Sequence, residues 1–308
     1  MAFQPSDLPT ILARPDIDWW IPLESGAAVP TWKDFGEQVT HLGIGAHPDD
    51  LEFSFLHGIE ACFEQEGRGF AGITVTHGGG SLRVPGQSTE ELIAIRRREQ
   101  RAAADVGRYA LLAQLGYASA DLSDASRSDR LIAELSAVLS GTRPDVVYLH
   151  APTDRHRSHL AVLQHALIAL RRLPAEQRPG EVWGCEGWRD LDWLSDADRV
   201  ALPVGRREHL GAALAGLFDS QIASGKRYDL AVAGRRRAHA SFSDPRGEDS
   251  AAGVTLAVDL TPLIQQDELS LKTFVDGLHE RFRTECLAQL EAAHPPGSAS
   301  ADDASHAS

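Results

Sequence analysis

Residues 41–52, HLGIGAHPDDLE, decide the fold, because a short apolar segment there runs directly into a cluster of polar side chains. The apolar part predicts a strand over residues 41–47, and the residues after the cluster predict a helix over 51–66. GFAGITVTH at residues 69–77 predicts a second strand, which a run of glycines ends. A strand, a helix and a further strand in this order are typical of a βαβ unit in a parallel sheet.

The same alternation continues along the chain, and Thr89 and Ser158 are candidate N-caps for two of its helices. We therefore expect an α/β fold with a Rossmann-like, mostly parallel sheet flanked by helices, an N-terminal arm and a C-terminal extension. The predicted boundaries are 1–40 for the arm, 41–292 for one domain and 293–308 for a disordered tail. Further helices are predicted at 89–107, 128–141, 158–173 and near 270–292, and further strands at 109–115 and 145–151.

The composition excludes several classes of protein. The 308 residues carry 30 Lys and Arg against 44 Asp and Glu, a formal charge of −14, which argues against nucleic acid or an anionic membrane as the main partner. No apolar run approaches the roughly 18–20 residues that span a bilayer, and the N-terminus lacks the pattern of a secretory signal. Cys62, Cys185 and Cys286 are scattered, as expected in a reducing compartment. These features predict a cytoplasmic enzyme and leave a homo-oligomer open.

Two polar clusters follow predicted strands. His47, Asp49 and Asp50 come after the first strand, and His156 and His159 come after the strand at 145–151. In a parallel sheet both clusters should open onto one edge. Two imidazoles and one carboxylate form a typical catalytic Zn²⁺ site, although Fe²⁺ or Co²⁺ would fit the same ligands. Each cluster alone could be a turn or a helix start with structural histidines, but the two together favour a metal site.

The segment AHPDDLE (46–52) closely resembles the A-H-P-D-D-x-E signature of the LmbE/PIG-L family of zinc-dependent N-deacetylases. The segment 156–159, HRSH, is similar to the family's H-x-D-H motif, and Arg96 to Glu99 resemble its R-x-x-E helix. The resemblance covers about residues 40–175. It implies a small-molecule substrate, an N-acylated amine such as an amino-sugar conjugate, from which the acyl group is hydrolysed.

Carried over position by position, the resemblance implies roles for particular residues. His47, Asp50 and His159 would be the zinc ligands, and Asp49 would be the general base toward a water on the metal. His156 would stabilise the oxyanion and protonate the leaving amine. The resemblance also implies that Arg96 contacts sugar hydroxyls.

Two departures from the family pattern bear on the chemistry. Ser158 stands where the family has an Asp that orients the neighbouring histidine, so either Asp154 does that work or His156 is a weaker acid. Residues 76–80, THGGG, replace a T-x-G-E stretch, which reshapes the predicted pocket. His77 is a candidate substrate contact there, because a glycine-rich turn lets a ligand approach the backbone closely, although the turn could also be a plain loop.

The C-terminal third is less informative. Trp188 and Trp193 could stack on a sugar but more often such residues fill a core, and the arginines at 235–237 are expected mainly on a solvated face. Alternatives to the deacetylase are a metal-dependent hydrolase of another amide or of an ester, and a non-catalytic small-molecule-binding protein. A dinucleotide-binding dehydrogenase is disfavoured, because no G-x-G-x-x-G follows the first strand.

Overall fold

The computed structural model describes residues 5, 7–23, 27–81, 83–223, 225–242, 247–249 and 251–293. The strands are β1 Asp18–Trp20, β2 His41–Gly45, β3 Phe70–Thr76, β4 Leu111–Tyr117, β5 Val146–His150, β6 Glu181–Cys185, β7 Arg199–Val204 and β8 Gly253–Asp259. The α-helices are α1 Phe35–Gln38, α2 Asp50–Ser54, α3 Leu56–Cys62, α4 Thr89–Gly107, α5 Ala125–Thr142, α6 Arg157–Arg172, α7 Glu208–Gly216, α8 Asp219–Ile222, α9 Tyr228–Phe242, α10 Thr261–Gln265 and α11 Leu271–Ala292.

The strands of the described residues form one sheet in the order β1-β4-β3-β2-β5-β6-β8-β7. From β4 to β6 every neighbouring pair is parallel, whereas β1 and the β6-β8-β7 edge pair antiparallel. The predicted α/β fold with a mostly parallel sheet is therefore confirmed. Strand β2 has β3 on one side and β5 on the other, so the strand order reverses at β2 and β5. Ligands bind at such a switch point, beyond the carboxyl ends of the strands.

Apolar side chains bury both faces of the sheet, as parallel strands require. Strands β2 and β3 are buried along their whole length. One cluster on the sheet includes Trp19, Trp32 and Phe35 from the segment predicted as an N-terminal arm. The other includes Phe55 and Phe70. The tail predicted to be disordered lies outside the described residues, apart from Ala293.

The helix predicted over 51–66 is broken into α2 and α3, which is a correction to the sequence analysis. The chain leaves helical geometry at Phe55, where φ is −116° and ψ is 23°. Phe55 is fully buried against His150, with ring centroids 5.6 Å apart. Gly58 then brings α3 so close to the sheet that an added Cβ would lie 2.5 Å from the ring of Tyr148. Packing on the sheet therefore overrides the continuous helical pattern.

Both predicted N-caps are wrong by one or two residues. Ser88, not Thr89, caps α4 and forms a capping box with Glu91. Helix α6 begins at Arg157 with His156 in the N-cap position, so Ser158 already lies inside the helix. Among the described helices, none combines the length and apolar character needed to cross a bilayer. The cytoplasmic location stays a prediction.

Candidate metal centre and active site

The two polar clusters meet at the switch point of the sheet. Nδ1 of His47 lies 3.3 Å from Oδ2 of Asp50, and Nε2 of His159 lies 3.3 Å from Oδ1 of the same carboxylate. The rings of His47 and His159 have centroids 5.2 Å apart. The structure thus brings together the three residues predicted as metal ligands, with the Asp50 carboxylate between the two imidazoles.

His150, the last residue of β5, belongs to the same cluster and was missed by the sequence analysis. Its ring stacks on His159 with centroids 3.7 Å apart, and its Nε2 lies 3.4 Å from Oδ2 of Asp50. The same Nε2 accepts a hydrogen bond from the backbone N–H of Ala46. A lone pair used in this way is not free for a metal, so His150 supports its neighbours instead of ligating. His150 could have been found in the sequence, because it ends a predicted strand at the edge of the sheet that carries the site.

Two overlapping sets of side chains have ligand atoms within 4.8 Å of one another: His47, His156 and His159, and Asp50, His150 and His159. The predicted ligand set draws on both and shares His159 with each. Within the described residues, Nε2 of His159 and Nδ1 of His156 are buried without a hydrogen-bond partner. Buried nitrogens of this kind need a partner. Imidazole and carboxylate are the donors that Zn²⁺ prefers, so this set fits a divalent metal.

Asp154 positions His159, not the ring of His156. Its Oδ2 lies 3.2 Å from Nδ1 of His159, while its Oδ1 accepts the backbone N–H of His156 and its Oδ2 that of Trp188. A carboxylate on the outer nitrogen fixes the tautomer and ring orientation of a metal-binding histidine. The option that Asp154 orients the imidazole of His156 is therefore wrong, because its carboxylate is turned to His159.

The two adjacent acids have opposite electrostatic surroundings. Burial, followed by the neighbouring Asp50, raises the pKa of Asp49 well above its usual range. Burial also raises the pKa of Asp50, but the facing imidazoles of His159 and His150 outweigh it and hold the pKa well below its usual range. Asp50 is therefore the permanently charged member of the pair, as a metal ligand must be.

The imidazoles also differ from one another. Burial opposes charge on His159, but Asp50 and Asp154 prevail and raise its pKa to about 10. Burial, then the neighbouring His47, lowers the pKa of His156. In the same way, burial and then His159 lower the pKa of His150 to about 4. Among these three rings, a proton is therefore favoured at His159 in the metal-free site.

Asp49 has a backbone conformation that is rare for a residue with a Cβ. Its φ is 99°, in the left-handed region. Its N–H donates to Oε1 of Gln100, whose Nε2 donates to Glu52. Tyr109 donates to the same Glu52 oxygen. Strained backbone of this kind persists only where its surroundings hold it, and it is concentrated at functional sites.

Arg96 lies beside Asp49 and is buried. Its Nη2 is 3.8 Å from Oδ2 of Asp49, and its Nη1 donates to the carbonyl of Gly78 and to Ser81. His77 is turned elsewhere: its Nδ1 accepts the N–H of Gly79, and it borders a separate small cavity with Arg97 and Gln114. The structure therefore brings Arg96, but not His77, to the site.

A cavity of about 340 Å³ opens over the cluster. The predicted residues that line it are His47, Asp49, Asp50, Arg96, His156 and His159. The C-terminal third supplies another part of its wall, including Glu186, Trp188, Tyr228 and Arg235. Trp188 is 43% exposed, so it is a wall residue and not core. Arg235 and Arg236 likewise face the cavity, which corrects the expectation that they form a solvated surface.

Fold and site together define an α/β protein with a cluster of imidazoles and carboxylates, suited to a divalent metal, at the switch point of its sheet. Residues 42–170 match the family model described as PIG-L, GlcNAc-PI de-N-acetylase. This match confirms the resemblance seen in the sequence and supports a hydrolytic enzyme of the N-deacetylase type. The matched residues include every predicted metal ligand. No curated protein matches the chain.

Solved structures share the fold. The 4-carboxy-2-hydroxymuconate hydratase GalB of Pseudomonas putida is 17% identical, with a TM-score of 0.58, over 72% of this chain and 96% of its own. A conserved protein of Thermus thermophilus is 21% identical, with a TM-score of 0.55, over 72% and 95%. The N,N'-diacetylchitobiose deacetylase of Pyrococcus horikoshii is 18% identical, with a TM-score of 0.50, over 72% and 85%. At these identities the likeness establishes the fold alone.

Proposed function

We propose that the chain is a zinc-dependent N-deacetylase that hydrolyses the acyl group, most simply acetyl, from an N-acylated amine such as an amino-sugar conjugate. One observation carries this proposal: Asp50 lies between His47 and His159, while Asp49 and His156 line the same cavity. This arrangement provides ligands, a base and an acid around one volume in which an amide can bind. The family match over residues 42–170 supports the same interpretation.

His47, Asp50 and His159 would hold the metal, which when bound lowers the pKa of a water and polarises the amide carbonyl. Asp49 accepts the proton of the attacking water. It needs to be ionised for this, and Arg96, whose Nη2 is 3.8 Å from its carboxylate, favours the charged form against burial. A positioned base of this kind contributes roughly 10²–10⁴ in rate.

His156 acts on the other partner of the bond. Its ring lies 4.7 Å from that of His47 and 4.9 Å from that of His159, centroid to centroid, so it reaches the same volume. The negative charge that develops on the carbonyl oxygen favours the protonated form of His156 against burial, and protonated His156 in turn stabilises that charge. His156 then gives its proton to the departing nitrogen, because an amide does not expel an unprotonated amine.

The activity is tested with purified full-length protein, stripped of metal and reloaded with zinc, Fe²⁺ or Co²⁺. N-acetylated sugars and their conjugates are assayed for acetate and free amine, beside the matching O-acetyl esters. Equal amounts of acetate and amine, lost on chelation, are expected. Turnover of esters alone would favour the alternative hydrolase, and protein that takes up no stoichiometric metal would favour the non-catalytic binder.

A further inference from the structure

We propose that the cavity wall built by the C-terminal third is a subsite for the hydroxyl groups of a polyhydroxylated substrate, and that Glu186 and Thr255 recognise them. The inference rests on the proposed function only for the place of the scissile amide. Both residues lie outside residues 42–170, the part of the chain that matches the family model. Both also line the cavity over the metal-ligand cluster.

The pairing of β6 with β8 places these two residues near each other in the sheet. Glu186 follows β6 directly, and Thr255 lies in β8, which pairs with β6 in antiparallel register. The backbone N–H of Glu186 donates to the carbonyl of Leu256, and Oε1 of Glu186 accepts the N–H of Leu256 in return. Nδ1 of His239 lies 3.1 Å from the same Oε1. One oxygen of the carboxylate is therefore fully engaged, and the side chain is fixed in place.

The other oxygen is not engaged by the part of the chain that the structure describes. Oε2 of Glu186 and Oγ1 of Thr255 both lack a hydrogen-bond partner there. The two residues are only 4% and 1% exposed. A buried carboxylate oxygen without a donor is costly, more so than a neutral group. Donors from a molecule in the cavity would remove that cost.

The surrounding charges select the chemistry of the donor. Arg235 and Arg236 line the same wall, and Nζ of Lys226 lies 4.9 Å from the ring centroid of Trp188 at the cavity. These three positive groups disfavour a cationic ligand, and the carboxylate of Glu186 disfavours an anionic one. A hydroxyl group is neutral and both donates and accepts, so it suits a carboxylate beside guanidinium groups.

Trp188 adds an apolar surface to these polar groups. Its ring is inclined by 29° to that of His156, at a centroid distance of 6.1 Å, and lies edge-on to that of Tyr228 at 5.6 Å. A sugar ring presents a C–H face and a rim of hydroxyls, which matches an aromatic face next to fixed polar acceptors. The wall therefore fits a pyranose better than a flexible apolar amide.

The test uses two probes that carry no acyl group, so that binding is separated from hydrolysis. Methyl α-D-glucopyranoside and methoxycyclohexane have similar ring size, but only the first has hydroxyls. We expect the zinc-loaded wild-type protein to bind the sugar at least about tenfold more tightly in an NMR titration. Glu186→Gln should weaken sugar binding about ten- to a hundredfold, as loss of a hydrogen bond to a charged group does. Binding of methoxycyclohexane should not change.

Thr255→Val keeps the inference testable if Glu186→Gln does not fold, because it only replaces a neutral hydroxyl with a methyl group of similar size. It should weaken sugar binding about two- to tenfold. Thr74→Val is its control, since Thr74 is equally buried with an unpartnered Oγ1 but lies on β3 away from the cavity lining. The inference is overturned if the wild-type protein binds both probes alike, or if every folded cavity variant binds the sugar as the wild type does. Absence of acetate release, by contrast, refutes only the proposed deacetylase.

Discussion

Asp49 and Asp50 are neighbours in the chain but are suited to different work. Asp50 is held ionised by two imidazoles, whereas Asp49 is buried with its pKa raised and has Arg96 as its nearest cation. The family resemblance implied this division of roles. It could not predict the mechanism of the separation, because φ of 99° at Asp49 depends on Gln100, which lies 51 residues away.

Replacing Asp49 with Asn tests the base role. Asn tolerates left-handed backbone, so the variant should fold and keep the metal. Because the amide cannot accept the proton of water, kcat should fall by at least about 10²–10⁴. Metal content by plasma mass spectrometry and acetate release are measured together. Asp192→Asn, the same change on an exposed residue, should leave both unchanged, and substantial turnover in metal-loaded Asp49→Asn would remove Asp49 from this role.

A second test at the scale of the residue concerns the proton that His159 carries. Its pKa of about 10 means that it carries a proton at pH 8 in the metal-free protein. A metal needs the lone pair on Nε2, so that proton has to leave. Zinc binding followed by calorimetry in buffers of different ionisation enthalpy should release close to two protons per ion at pH 8, one from His159 and one from the water whose pKa a bound zinc would lower to about 7. With a histidine of ordinary pKa, about 6.5, only the proton of the water would be released, and a release of about one proton would contradict the electrostatics described for His159.

At the scale of elements, the periodic helices and apolar strands were predictable, because the spacing of apolar residues along each element indicates which side of it is buried. Helix α4 was predicted over the observed residues, Thr89–Gly107. The break at Phe55 was not, since it arises from packing against His150 on another strand. The turn after β3 shows the same limit. Its glycines were visible in the sequence, but the hydrogen bond that Arg96 of α4 donates to the carbonyl of Gly78 was not.

That turn can be tested by adding a single methyl group. Gly78 has φ of 66°, and a Cβ there would collide with Nη1 of Arg96. Gly78→Ala should lower the free energy of unfolding by at least about 1–2 kcal/mol from backbone strain alone, and should lower kcat/KM by displacing Arg96. Gly80→Ala is the matched control, because an added Cβ has nothing within 4 Å. Urea denaturation should separate the two, and equal stabilities would show that the turn is not constrained by Arg96.

At the scale of the whole molecule, the sequence predicted the edge of the sheet that carries the site, but only some of the residues that line the cavity. Residues 42–170 hold the motifs, and their order along β2 and β5 fixes the metal-ligand cluster. The remaining wall includes Glu186, Trp188 and Tyr228 from the C-terminal third. These residues have no shared periodicity, and only the antiparallel edge of the sheet and the packing of α9 bring them to the site.

Because the proposed ligands come from separate segments, metal binding should stabilise the entire fold. A ligand at a hundred times its dissociation constant stabilises the native state by about 2.7 kcal/mol if the unfolded chain does not bind it, which for a chain of this size raises Tm by roughly 4 °C. Zinc should produce this rise in the stripped protein and a chelator should reverse it. His159→Ala should abolish the response. His165→Ala should keep it, because His165 lies on the same helix with Nδ1 bonded to the carbonyl of Ala161, outside the cluster. Equal zinc responses in the two variants would mean that the stabilising ion binds elsewhere. The proposal that residues after β2 and in α6 hold one cation together would then have no support.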